Sequence, residues 1–562
     1  MSYETGTLTT RVYGAFRGVD FRGEECTLSR SPDALNVWKD YKEADSIRTR
    51  PDMVLHTAFD APVYGIFFYR DMMIVHSGKK LLRVKNGATT ELFSDAKEAP
   101  SDSFTFEDVF YFKDGKNYLQ YDGATIKEVE GYVPTTSIGR KPAGGGTVHE
   151  DVNMLNGRRI NTFLADTAST EFYLDAQNID SDFPPIVTVD DQIVTSGYTV
   201  DYAGGVIKFS KAPDAPGTDG RDNVMIEFRK TIQTYRDVIL QCTLLQVFDN
   251  RVFFSGNPNY PNVVYHCSLN DPTYCSDLDF YRDGVDTAAV KGLVAGNNAL
   301  WVFREPSQAN TSVFYHTPTL DADYGKIYPS THSSITTGCV GKARNFNDDI
   351  VFFSDRGMEG ISGDVTTEQA VAHRSSMIDR KLLAEPGYKD MILEEWEGYL
   401  IAIIGDKAYL ADSRTAFQLE NHIEYDWFYW DLKRTVTCAR VHGGVLYLGT
   451  EDGVYTLTDF DADVESWWTT PQDKFGVPHK LKTTNKRGCV CEGTGKEITV
   501  SVKTNKDDWG VVGQFQDVED AFVCRIKRKK FKDLQLKFYS ARRFSLETAT
   551  LESFVGGYVK RI

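Results

Sequence analysis

One pattern recurs along this chain and limits what it can fold into. A short apolar strand leads to a pair of turn-forming residues, and a second, strongly apolar strand follows at once. The pairs are Arg70-Asp71 before MMIV, Glu107-Asp108 before VFYF, Asp249-Asn250 before RVFF and Asn297-Asn298 before ALWVF. Three more are Asp348-Asp349 before IVFF, Glu397-Gly398 before YLIAII and Gly443-Gly444 before VLYL. Asp, Asn and Gly tolerate the positive φ that a two-residue hairpin turn requires. The second strand, apolar at nearly every position, predicts burial on both faces.

The second turn residues fall at 71, 108, 250, 298, 349, 398 and 444, so the intervals are 37, 142, 48, 51, 49 and 46. Apart from the long gap, this is the period of a four-stranded propeller blade. Several units continue into a third strand: KKLLRV, KNYLQY, KAYLAD and DGVYTL. The chain thus reads as an all-β protein built on a β-propeller of about seven blades. Residues 1–62 form an N-terminal arm and the start of the propeller, 63–148 its first two blades, and 234–474 the remainder.

The long gap calls for an insertion. Residues 149–233 contain TEFYLDA, PIVTVDD, YTVDYAGGVIKFS and NVMIEF, short alternating strands between Gly, Pro and Asp clusters, which predict a small β-sandwich. Lys141 to Gly146, KPAGGG, reads as a flexible connection to it. The repeat stops near residue 475, and 475–562 reads as a separate C-terminal β domain. There Leu534, Leu536 and Phe538 alternate with Gln535 and Lys537 as on a half-buried strand. Helix is scarce, and Arg374 to Pro386 is the best candidate for one, ended near its proline.

Composition narrows the function. Aromatic residues make up 13% of the chain, which suits a pleated sheet surface. The formal charge is −17, opposite to that of a protein whose task is to grip phosphates. Nine scattered cysteines without a C-x-x-C predict free thiols in a reducing compartment; Cys489 and Cys491 would share one face of a strand. The N-terminal stretch lacks the apolar core of a signal peptide, and the longest apolar run, Tyr399 to Ile404, is far short of a membrane span. No membrane anchor is expected.

Catalytic signatures are missing from the sequence. It holds no H-E-x-x-H, G-x-S-x-G or Walker A motif. Gly493-Thr494-Gly495-Lys496 resembles the end of a phosphate loop, but Glu497 stands where Ser or Thr is needed, so a β-turn is expected. Asp459, Asp461 and Asp463 could open a calcium loop, yet Val464 occupies the place of the required glycine; a solvated acidic turn is the simpler reading. No catalytic residue, metal or cofactor is therefore assigned. The dense basic run Arg525, Lys527, Arg528, Lys529, Lys530 and Lys532 remains. It is either a solvated strand-loop face or a contact with a neighbouring subunit's acidic surface or with DNA phosphates.

Three stretches carry a family resemblance. They are GVDFRGEECTLSRSPDALNVW (Gly18 to Trp38) with TRPDM (Thr49 to Met53); RVFFSGNPNYPN with NDPTY; and RIKRKKFKDLQLKF with ATLESFVGGYVKR. These segments, and the overall plan, resemble the β-propeller tail hub or nozzle proteins of short-tailed bacteriophages, with Asp52 replacing the glycine of a T-R-P-G-like turn. The resemblance implies a non-enzymatic virion tail protein, made in the host bacterial cytoplasm. It also implies a homo-oligomeric ring that meets portal, adaptor or other tail proteins and lets genomic DNA pass without sequence-specific binding. The alternatives are a tail-tip or baseplate component of a long-tailed phage and, in another class, a carbohydrate-binding or carbohydrate-active propeller.

Overall fold

Two-residue turns set the architecture. In a computed structural model that describes residues 7–42, 46–217, 220–307, 311–322, 325–362, 365–366, 370–419, 422–527 and 530–558, all seven hairpins form. Both turn residues have positive φ at Glu107-Asp108, Asp249-Asn250, Asn297-Asn298, Glu397-Gly398 and Gly443-Gly444. One turn shifts by a residue from its expected place: Phe346 pairs with Asp349, so the turn is Asn347-Asp348, with φ of 51° and 64°.

Each hairpin belongs to a four-stranded antiparallel sheet, and in six of the seven the strands follow chain order. The apolar strands are the second in every case: Met72–Ser77, Val109–Lys113, Arg251–Ser255, Ala299–Arg304, Asp349–Ser354, Tyr399–Ile404 and Val445–Gly449. Met72–Ser77, Ala299–Arg304 and Tyr399–Ile404 are buried throughout, as strands packed on both faces must be. The fold is a β-propeller, and seven such sheets occur among the described residues.

The seventh sheet is completed from far away in sequence. Its first three strands span 438–459, and its fourth is Asp52–Ala58, which pairs with Gly453–Asp459. Gly453 makes the approach possible, because a Cβ there would lie 2.5 Å from the Thr57 carbonyl oxygen. Residues 1–62 are therefore more than a lead-in: part of the segment closes a blade.

The chain forms two compact units, Met1–Glu91 with Ser334–Ile562 and Leu92–Ser333. The second holds the inserted sandwich, a six-stranded sheet facing a three-stranded one around Phe163, Phe172, Ile207, Ile226 and Phe228. The insertion opens earlier than residue 149. Thr135–Arg140 and Thr147–Val148 already belong to its larger sheet, and Lys141 to Gly146 is the turn between them, closed by the Gly144 amide donating to the Lys141 carbonyl. The glycines supply the positive φ of a tight turn and not a linker.

The first unit contains the C-terminal domain, and its composition corrects the 475–562 boundary. One sheet runs Thr7–Tyr13, Thr548–Tyr558, Lys480–Glu492, Ala521–Cys524, with Lys530–Phe531 also on the third strand. The other runs Ala34–Leu35, Ser466–Thr469, Leu534–Ser540, Gly495–Thr504, Gly510–Val518. The N-terminal arm is thus a structural part of the C-terminal sandwich. The helix expected over 374–386 is reduced to Asp379–Leu382, and another short helix spans Tyr235–Leu240.

Candidate functional site

The basic run lies on the first sheet of the C-terminal sandwich. Phe522, Cys524 and Ile526 point inward while Ala521, Val523, Arg525 and Lys527 are exposed, so the period of two continues past the end of the strand. Phe531 then turns inward, 5.8 Å from the Phe475 ring, leaving Lys530 and Lys532 in solvent. Backbone bonds fix the segment: Lys482 Nζ donates to the Lys532 carbonyl at 2.6 Å, and the Lys532 amide donates to Asn505 Oδ1 at 2.7 Å. Arg528 and Lys529 lie outside the described residues.

Most cations on this unit have carboxylate partners. Lys503 reaches Glu24 at 3.1 Å, Lys537 reaches Asp33 at 3.2 Å, and Arg542 bridges Asp463 and Glu497. Among the described residues, none lies within ion-pair distance of Arg525, Lys527, Lys530 or Lys532. Four cations without internal partners on a chain of charge −17 stand out from their surroundings.

The other end of the same strand carries the opposite charge, which the sequence reading had not singled out. Glu492 pairs in register with Ala521, and the turn before it exposes Asp517, Glu519 and Asp520. The signal was present in the sequence as Asp517-Val518-Glu519-Asp520. Beside this end is a cleft of about 450 Å³ lined by Phe460, Asp517, Val518, Phe544 and Glu547 together with Arg48 and Lys496.

The remaining motifs take structural roles. Asp461 pairs with Arg543 and Asp463 with Arg542, so two carboxylates of the acidic triplet are neutralised by arginines. The Gly493–Lys496 turn spends its amides on the chain itself: Thr494 and Lys496 donate to the Ser545 and Arg543 carbonyls at 3.2 and 3.1 Å. A phosphate cradle needs such amides unspent. All nine cysteines are free, and Cys489 and Cys491 do share a face, their sulfurs 3.7 Å apart.

Two histidines sit in strongly polar buried settings. His373 lies between Asp379 and Glu359, and His316 is wholly enclosed against Asp283. The second imidazole is out of reach of any substrate, and the first has both nitrogens committed to carboxylates, so neither has a ring nitrogen to offer a reacting group.

No protein-family model matches the chain, and comparison with curated proteins finds no match. Among solved structures it is similar to BamB from Moraxella catarrhalis, with 10% identity and a TM-score of 0.32 over 72% of this chain and 96% of that one. YCF48 bound to D1 peptide gives 6% and 0.31 over 73% and 94%. The Pan2 WD40 domain of Neurospora crassa gives 8% and 0.27 over 74% and 97%. Likeness at this level adds nothing to the strand order, which defines the propeller.

Proposed function

We propose that the chain is a structural component of a bacteriophage virion tail, an oligomeric hub or nozzle through which DNA is retained and ejected, without enzymatic turnover. The observation that carries the reading is the row Arg525, Lys527, Lys530 and Lys532, exposed and without an ion-pair partner among the described residues of an acidic protein. The sequence resemblance to tail hub proteins supports it. In this reading the mechanism is mechanical. Carboxylates facing the conduit repel phosphates over roughly 8 Å at physiological salt, so the genome slides without sticking, while basic segments hold neighbouring proteins. Closed rings are the common form for such assemblies. Antibody raised against the purified chain, applied to intact phage particles and viewed by electron microscopy, should label the tail. Particles that bind no antibody, with the chain absent from their denatured protein profile, would overturn the reading.

A further inference from the structure

Three of the free cysteines meet inside the C-terminal sandwich. Cys489 and Cys491 lie on the strand Lys480–Glu492, and Cys524 ends the strand Ala521–Cys524, directly opposite Cys489. The Cys489 and Cys491 sulfurs are 3.7 Å apart, and Cys491 is hydrogen-bonded to the Cys524 thiol as well. All three side chains are fully buried, in the core that also holds Phe522, Ala549 and Leu551. Four other cysteines engage the backbone instead. Cys26, Cys242 and Cys438 donate to the Arg30, Val238 and Val63 carbonyls at 3.6, 3.2 and 3.6 Å, and Cys267 accepts from the Val252 amide at 3.0 Å. A lone buried cysteine serves as a small apolar side chain. Three sulfurs gathered at one spot offer thiol chemistry that a lone one does not.

Strand geometry decides which two can be joined. Residues directly opposite on antiparallel strands have Cα atoms about 4.5 or 5.5 Å apart, inside the roughly 4.4–6.8 Å that a disulfide spans. Cys489 and Cys524 meet that condition. Cys491 and Cys524 are two residues out of register, so their Cα atoms are about 7–8 Å apart, beyond the limit of about 7 Å. Cys489 and Cys491 project from the same face of one extended strand, which sets their Cβ atoms about 6.6 Å apart against the roughly 3.5–4.5 Å a bridge needs. Gly513, on the facing sheet, keeps room beside the Cys524 sulfur: a Cβ there would sit 3.5 Å from it. Access differs between the strands too. Ala521–Cys524 is four residues long and ends its sheet, with one strand neighbour, whereas Lys480–Glu492 is internal. Short edge segments open locally at little cost, so Cys524 is the thiol that solvent reaches first.

We propose that Cys489 and Cys524 form a reversible cross-strand disulfide when the chain meets a small oxidising disulfide, pinning the edge strand Ala521–Cys524 to its sheet. The opened Cys524 gives up its proton, and its thiolate attacks one sulfur of oxidised glutathione, breaking that S–S bond and releasing one glutathione thiolate. As the strand closes, the Cys489 thiolate attacks the Cys524 sulfur and expels the second glutathione thiolate. The two protons shed by the cysteines pass to the two glutathione thiolates, so two cysteine thiols are oxidised and one glutathione disulfide is reduced. Hydrogen bonding with the Cys489 and Cys524 sulfurs, together with burial, holds the Cys491 thiol well above the ordinary thiol range. It stays protonated and is not the attacking group. Cys524 immediately precedes Arg525, so the bridge fixes the start of the exposed basic run. The switch operates whether or not the chain belongs to a virion.

The test incubates the full chain with oxidised glutathione, in urea too dilute to change its circular dichroism. Digestion without reductant, followed by fragmentation mass spectrometry, should find Cys489 linked to Cys524 in a peptide pair lighter by two hydrogens than the free thiol forms. Dithiothreitol should restore both thiols. This measurement needs no variant, so it stands even where a core substitution fails to fold. Amide exchange over 521–524 should slow about tenfold on oxidation, while the propeller strand Tyr399–Ile404 exchanges as before. Cys491→Ala should still form the bridge; Cys524→Ala should show neither the bridge nor the slowing. A chain that keeps all its thiols, one that stops at a glutathione adduct, or one that bridges through Cys491 overturns the proposal. Slowing that persists in Cys524→Ala overturns it as well. None of these outcomes bears on the tail reading, which antibody labelling of particles tests separately.

Discussion

His316 Nε2 lies 3.0 Å from Asp283 Oδ2, and neither side chain is reached by solvent. The other ring nitrogen, Nδ1, faces the Tyr328 carbonyl oxygen at 2.8 Å, and Ser330 donates to the second oxygen of Asp283. Burial opposes a charge on the ring, but the Asp283 carboxylate outweighs it and raises the imidazole above its ordinary value. A raised native value favours the protonated ring, so the pair's contribution is complete below about pH 6.5 and fades as pH rises through the raised value.

Asp283→Asn should remove one partner of this buried pair and cost about 3–5 kcal/mol. Without the carboxylate, only the Tyr328 carbonyl still favours a charged His316, and burial, the largest influence on the ring, outweighs it, so the sign of the pH dependence reverses. Hydrogen exchange of residues 313–332 should show protection falling with rising pH in wild type and rising with pH in the variant. Identical profiles would show that the pair carries no linkage.

His373 offers the same argument in a more accessible place. Burial works against its charge, yet Asp379 Oδ2 at 2.6 Å and Glu359 Oε1 at 3.3 Å prevail and push it up to about 9. The stabilisation is full below the ordinary value of 6.5 and is lost as pH climbs through about 9. The ring is a quarter exposed, so solvent screening trims the effect to about 2 kcal/mol. His373→Gln should flatten the fall in urea stability of the first unit between pH 6.5 and 9. A variant that keeps the wild-type slope over that window would assign the dependence to other groups.

How much of this was legible in the sequence depended on distance along the chain. The hairpins could be read because a two-residue turn and its strands are contiguous, and the turn chemistry is local. Asp348-Asp349 was misplaced by one residue because Asn347, Asp348 and Asp349 are all good turn formers; only the pairing of Phe346 with Asp349 decides. Gln535 was expected to face solvent, but the strand Leu534–Ser540 is internal to its sheet, and Gln535 is buried with its amide on the Thr470 carbonyl at 3.3 Å. The pairing of Thr7–Tyr13 with Thr548–Tyr558 left no local trace, since its partners are over 500 residues apart. The basic run was visible as composition. Its acidic counterpart became visible only when register set Ala521 and Lys530 at opposite ends of the strand Lys480–Glu492.

The closing strand gives the last prediction. Asp52–Ala58 holds the seventh sheet together through backbone bonds to Gly453–Asp459, and its side chains are largely exposed, Val54 and Leu55 on opposite faces among them. Little apolar burial backs the pairing, so the ladder itself must hold it. A side chain at 453 would meet the Thr57 carbonyl oxygen at 2.5 Å and the Ala58 Cα at 3.1 Å, both backbone atoms that cannot swing away. Gly453→Val should therefore push the strand off its edge, at a cost of about 1–3 kcal/mol by analogy with overpacking. The loss should be local: limited proteolysis should cut the variant within 52–58 while the sheet at 392–431 stays protected. Val454→Ala, which removes two methyl groups from the adjacent buried side chain without touching the ladder, should destabilise the sheet yet leave 52–58 uncut. Equal cleavage in the two variants would mean that packing, and not the close backbone approach at Gly453, keeps the blade closed.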